Sequence, residues 1–132
     1  MFNNYSNGSY LIWKLPEERV FIDSRVEAYP VDFLQKVYVG MQEDPVKWEL
    51  YSKQYNINFI FYDYFDINDY SIKFLKHISS NEDWPLIYKD AWAAIYVRRT
   101  VENNDIIKKY EIKSTSTKKP GSPDFLVLVD SN

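Results

Sequence analysis

Two kinds of hydrophobic run alternate along the chain. Val20-Phe21-Ile22 and the stretch 57–62, centred on Phe59-Ile60-Phe61, are continuous and β-favouring, and each ends in an acid, Asp23 and Asp63. Unbroken runs of that kind predict strands covered on both faces, hence in the interior of a sheet. Elsewhere the spacing is helical. Between 31 and 41, Phe33, Leu34, Val37, Tyr38 and Met41 line one side of a helix bracketed by Pro30 and Gly40. Asp44 as N-cap and Pro45 at the first helical position open a second helix carrying Trp48, Tyr51 and Tyr55, and Asn56 offers it a left-handed stop. Asp66, Asn68 and Asp69 mark a loop and cap before a helix with Ile72, Leu75 and Ile78 that reaches about Ser79.

Shorter signals fill the ends. A turn at Asn7-Gly8-Ser9 leads into a helix over 10–15, closed by Pro16. Runs over 86–88 and 92–98 flank Lys89-Asp90-Ala91 and predict a hairpin whose second strand has one face more exposed than the other. Thr100 caps a last helix carrying Ile106, Ile107 and Tyr110. The pattern predicts one α/β domain over 1–112: a mixed sheet of about four strands, two central parallel strands plus a C-terminal antiparallel hairpin, with helices packed on it. Residues 113–132 read as a linker-like tail, and its Phe125-Leu126-Val127-Leu128-Val129 run as either an extra edge strand or a sticky end.

Composition changes this picture in three respects. Tyr, Phe and Trp make up 18% of the 132 residues, so large rings fill the core or supply stacking surfaces for a sugar or a partner. A net charge of −3 argues against a nucleic-acid surface, which needs clustered cations. The absence of cysteine excludes disulfides, thiol catalysis and thiolate metal sites. No stretch reaches the ~20 apolar residues that cross a bilayer, so the isolated chain is expected to be soluble.

The segment Asn4-Tyr5-Ser6-Asn7-Gly8-Ser9-Tyr10-Leu11-Ile12-Trp13, followed by Val20-Phe21-Ile22-Asp23-Ser24-Arg25 and Tyr29, resembles the pattern found after the last membrane span of bacterial and archaeal glycosyltransferase-like proteins of the dolichyl-phosphate-mannose type. Tyr55 to Ile60, Trp84 to Asp90, and Val97-Arg98-Arg99 with Glu102-Asn103 extend the likeness over most of the chain. Two glycines usual in that pattern are Ser9 and Ser24 here. The resemblance implies a non-catalytic, extracytoplasmic accessory domain whose partners are the membrane-embedded part of a parent protein, a membrane partner or a glycan. It implies no cofactor, and it carries over no catalytic residue, because the acid that drives sugar transfer in such proteins lies between membrane helices.

Read from the residues alone, one edge of the sheet could still hold chemistry. Parallel strands ending in Asp23 and Asp63 would place both carboxylates where open α/β sheets bind ligands, with Arg25, Glu27 and Tyr29 just beyond. Such a group could bind a divalent cation in a small stand-alone, metal-assisted hydrolase or transferase. Equally, Asp23 could pair with Arg25 and fix the loop. His77, the single histidine, has no second histidine or nucleophile motif beside it and is expected at a surface or helix edge. Trp13, Trp48, Trp84 and Trp92 would serve as glycan platforms only if exposed.

Overall fold

The computed structural model describes residues 1–113. All but the first residue of the expected tail, including the 125–129 run, lies outside the described residues. A four-stranded mixed sheet, ordered β1-β2-β4-β3, is formed by β1 (Phe2–Asn3), β2 (Phe59–Asp63), β3 (Leu86–Lys89) and β4 (Ala93–Val97). β1 runs parallel to β2, with Phe2 opposite Ile60, whereas β2 pairs antiparallel with β4 and β4 with β3. Five α-helices accompany the sheet: α1 (Gly8–Lys14), α2 (Gly40–Glu43), α3 (Pro45–Gln54), α4 (Asp69–Ser79) and α5 (Asn104–Tyr110). The α/β class, the single parallel pair and the C-terminal hairpin are those the sequence predicts.

The parallel partner of β2 is not the one expected. Val20-Phe21-Ile22 forms no strand, and Phe2–Asn3 takes that place at the edge of the sheet. A side chain explains the exchange. The Asn3 carboxamide accepts a hydrogen bond from Phe21 N at 2.8 Å and donates one to Ile22 O at 2.8 Å. The 20–22 segment thus lies beside β1 with its polar groups met by a side-chain amide, which holds it too far away for a backbone ladder. Its apolar residues are still used, since Ile22 is buried and Phe21 packs its ring against Phe2.

Two smaller differences follow from packing. Apart from a partly buried Ile95, both faces of β4 are buried, and the strand lies inside the sheet between β2 and β3. The last helix begins at Asn104, after Thr100, Val101 and Asn103 have formed turns that use the first backbone amides. The helix expected over 31–41 exists, but its Phe33–Val39 portion is wound as π-helix, and it continues through Gly40 as α2 instead of stopping there. Asp44 caps α3 by accepting from Val46 N at 2.9 Å, and Asn56 stops that helix with φ 53°.

Rings build the core. Phe2 lies within 6.5 Å of Phe21, Tyr38, Trp48, Tyr62 and Phe74 by ring centroids, and Trp48 also meets Trp84 at 5.1 Å. Two buried tyrosine hydroxyls find partners at the margin of this cluster. Tyr62 donates to Gln42 Oε1 at 2.6 Å, and Tyr38 accepts from Tyr5 N at 2.9 Å. Burial pushes both phenols well above the ordinary tyrosine range, so they remain neutral donors at any physiological pH.

Candidate functional site

Because β1 and β2 are parallel, the chain leaves both strands at the same end of the sheet. Asn4 follows β1, Asp63 ends β2, and the two are joined by three hydrogen bonds through one carboxamide, which takes a fourth from Asn7. Asn4 Nδ2 donates to Asp63 Oδ1 at 2.9 Å and to Asp63 O at 3.2 Å, while Asn4 Oδ1 accepts from Asp63 N at 3.0 Å and from Asn7 Nδ2 at 2.7 Å. Ser6 Oγ donates to Asp63 Oδ2 at 2.7 Å, and Phe65 N donates to Oδ1 at 3.0 Å. Both oxygens of Asp63 are therefore engaged in holding the 3₁₀ turn Tyr5–Asn7 and the turn after β2.

Asp23 has a different set of partners. Its Oδ1 accepts from Arg25 N at 2.9 Å and Arg25 Nε at 3.0 Å, and its Oδ2 accepts from Arg25 Nη2 at 2.7 Å. The Tyr29 hydroxyl accepts from Asp23 N at 3.1 Å and stacks its ring on Phe33 at 5.8 Å. The structure thus gathers Asp23, Arg25 and Tyr29 into one loop lock. Glu27 sits exposed in the 3₁₀ turn Val26–Ala28 and shares only a long-range field with Arg25. Asp63 belongs to the Asn4 network, and among the described residues no hydrogen bond joins it to Asp23. Nor does any group of three or more His, Asp or Glu side chains gather there in a way that could hold a metal ion.

The Arg25 side-chain hydrogen bonds hold the Asp23 carboxyl well below the usual carboxylate range. A group depressed in the folded state stabilises the fold above its unfolded value of 3.8, and that contribution disappears as pH falls through the lower folded value. The Asp23 side chain is only 3% exposed but Arg25 is 68% exposed, so solvent screening keeps the ion pair small. Asp23→Ala is expected to cost about 1 kcal/mol at pH 6. In urea titrations the gap to wild type should shrink steadily between pH 4 and pH 2. A gap that is the same at both ends would show that the charge of Asp23 contributes nothing.

The two serines that replace the usual glycines meet each other. Ser9 Oγ and Ser24 Oγ lie 2.6 Å apart, and neither residue has a positive φ, so the backbone at both places suits any side chain. Gly8, the residue before Ser9, is different. A Cβ there would overlap Ile22 O and come within 2.6 Å of Asp23 Cα. The start of α1 is pressed directly onto the 22–23 backbone, and only glycine permits it.

That close approach buries Gly8 and Leu11 and turns the rest of α1 outward. Trp13 is 71% and Tyr10 54% exposed, their rings meet edge to face at 6.1 Å, and Ile12 and Leu15 are exposed beside them. Lys14 Nζ lies 4.2 Å from the centre of the Trp13 ring. A second exposed pair, Phe65 and Trp92, stacks at 5.4 Å on the turns that leave β2 and enter β4. By contrast, Trp48 and Trp84 are core, and Arg98 is stacked on the inner Trp84 at 4.6 Å. His77 is half-buried on α4, and desolvation lowers its pKa, partly offset by Glu49.

Sequence reasoning placed Asp23, Arg25 and Tyr29 together. It missed the buried Asn3-Asn4-Asn7 network and the Phe65–Trp92 pair. Three asparagines within five residues of a hydrophobic Phe2 were the available signal for the first, since buried amides are costly unless paired. Comparison with known proteins finds no matching family model, no matching curated protein and no matching solved structure.

Proposed function

We propose that this chain is a non-catalytic accessory domain of a polytopic, glycosyltransferase-like membrane protein, and that it rests against the membrane-embedded part on the extracytoplasmic side through α1. The observation that carries the reading is the outward face of α1, where Tyr10, Ile12, Trp13 and Leu15 are all exposed on a helix that buries only Gly8 and Leu11. Exposed aromatic residues grouped on one short element are what a docking face requires, whereas rings scattered singly need no explanation. The carboxylates that could have served a reaction are occupied as acceptors within the fold. The likeness of Asn4 to Trp13 and Val20 to Arg25 to the region following the last span of such proteins supplies the class of parent.

The coding sequence upstream of Met1 tests the parentage. Membrane-spanning segments in the same reading frame are expected, and an in-frame stop codon directly upstream would contradict it. In the full-length protein, Tyr10→Ser with Trp13→Ser should make this domain more sensitive to protease while leaving the urea midpoint of the isolated chain within about 0.5 kcal/mol of wild type. Unchanged sensitivity would remove α1 from the docking face.

A further inference from the structure

We propose that the outer edge of β3 takes a fifth strand from this chain's own Phe125-Leu126-Val127-Leu128-Val129 run, which guards the sheet against pairing with other chains. This pairing is independent of the docking face on α1. The two edges of the sheet differ. Beside β1, the 20–22 segment is held by the Asn3 carboxamide and occupies the edge. Beyond β3, a backbone bond is made near its start, where Ile112 N donates to Leu86 O at 2.8 Å. Further along, Asp90 N donates to Ala93 O at 3.1 Å, while Lys89 stands opposite Ala94 and Tyr88 opposite Ile95. Bonded and non-bonded pairs alternate in an antiparallel ladder, so the Lys89 N–H and C=O point away from β4. Among the described residues, none outside the sheet hydrogen-bonds to them.

Position, length and charge select this occupant. The described chain ends at 113, one residue past the bond to Leu86, so whatever follows starts at that edge. Residues 114–124 can bridge up to about 40 Å, against about 13 Å for the four residues of β3. Pro120, Gly121 and Pro123 within that stretch are residues that reverse a chain. The 125–129 run is apolar, uncharged and without proline or glycine, and its side chains are suited to cover Tyr88, which is 46% exposed, and the half-buried Leu86 and Ile87. Asp124 and Asp130 flank the run, and Lys89 is exposed on β3. Attachment at 113 gives the run an effective concentration on the order of millimolar, which another molecule's run does not match in dilute solution. An open edge and an uncharged apolar run are each a hazard for association, and pairing them within one chain removes both.

Amide hydrogen exchange of the ¹⁵N-labelled 132-residue chain, measured at two protein concentrations, tests the pairing. The Lys89 amide should be protected in the wild type at both. Val127→Pro, which removes a donor from the middle of the run, should speed its exchange by about tenfold or more, while Ile60 in β2 keeps wild-type protection. Val127→Ile, which keeps a β-branched apolar residue, should leave Lys89 protected. An unprotected Lys89 amide in the wild type would overturn the inference, as would protection that Val127→Pro leaves unchanged. So would protection confined to the higher concentration and accompanied by a dimer in sedimentation, which would assign the edge to a second copy.

Discussion

Phe2→Ala is expected to destabilise the chain by about 4 kcal/mol, as for a fully buried phenylalanine. The residue stands near the very start of the chain, where ordering is usually weak, yet its side chain is wholly buried and touches five other rings. Removing it leaves a cavity walled by Trp48, Tyr62 and Phe74, whose positions are fixed by α3, β2 and α4 and cannot collapse inward. It also removes the apolar anchor of β1, so the Asn3 and Asn4 carboxamides lose the strand that aims them at 21–22 and at 63. Urea denaturation followed by circular dichroism measures the loss. A cost below about 1 kcal/mol would mean that β1 is not inserted in the sheet.

Gly8→Ala should be nearly as damaging, by about 3 kcal/mol, and its sign is the informative part. Helix propensity alone would make alanine the better residue inside α1 by about 1 kcal/mol. The added methyl, however, meets backbone atoms of Ile22 and Asp23, which unlike a flexible side chain cannot swing away. Relief requires α1 to lift from the 22–23 segment, and that disturbs the Asp23 loop lock and the seating of Leu11 together. Equilibrium unfolding of the variant decides between the two effects. A stabilised Gly8→Ala would show that α1 does not press on that segment.

How far the sequence disclosed this architecture depends on the length of each signal. α3 and α4 were legible because cap-type residues and the spacing of apolar side chains agree over ten or more positions, from Asp44 and Pro45 to Asn56 and from Asn68 to Ser79. β2 was legible because four consecutive β-favouring residues, Phe59 to Tyr62, end in a turn-favouring Asp63. β1 was not, since two residues cannot show a period, and Val20-Phe21-Ile22 offered a longer run of the same kind. What decided between them was a side-chain amide. Asn3 replaces a ladder rung with its carboxamide, and hydrophobic patterning carries no information about that.

The candidate site divides along the same line. The Asp23-Arg25 pair was within reach of spacing alone, because a carboxylate and guanidinium two residues apart around a turn can close a bidentate contact. The separation of Asp63 from that pair was not, because it follows from β1 having taken the edge position beside β2. Once Asn4 and Ser6 stand against Asp63, its two oxygens are filled, and the end of the sheet has rings on its outside where a metal-binding pair was conceivable. Exposure of Trp92 could not be told from burial of Trp84 by sequence, since each stands shortly before a strand with an aspartate one or two residues ahead of it.

The central claim is that this end of the molecule works through its rings and that its carboxylates serve the fold. Backbone amide spectra of the ¹⁵N-labelled chain, recorded as the detergent-solubilised membrane-embedded part of the parent protein is added, test it most directly. The account predicts shifts and broadening at Tyr10 to Lys14, with Asp23, Arg25, Tyr29 and Asp63 unmoved. Perturbation centred on Asp23 to Tyr29 and Asp63, with the aromatic tips silent, would contradict it.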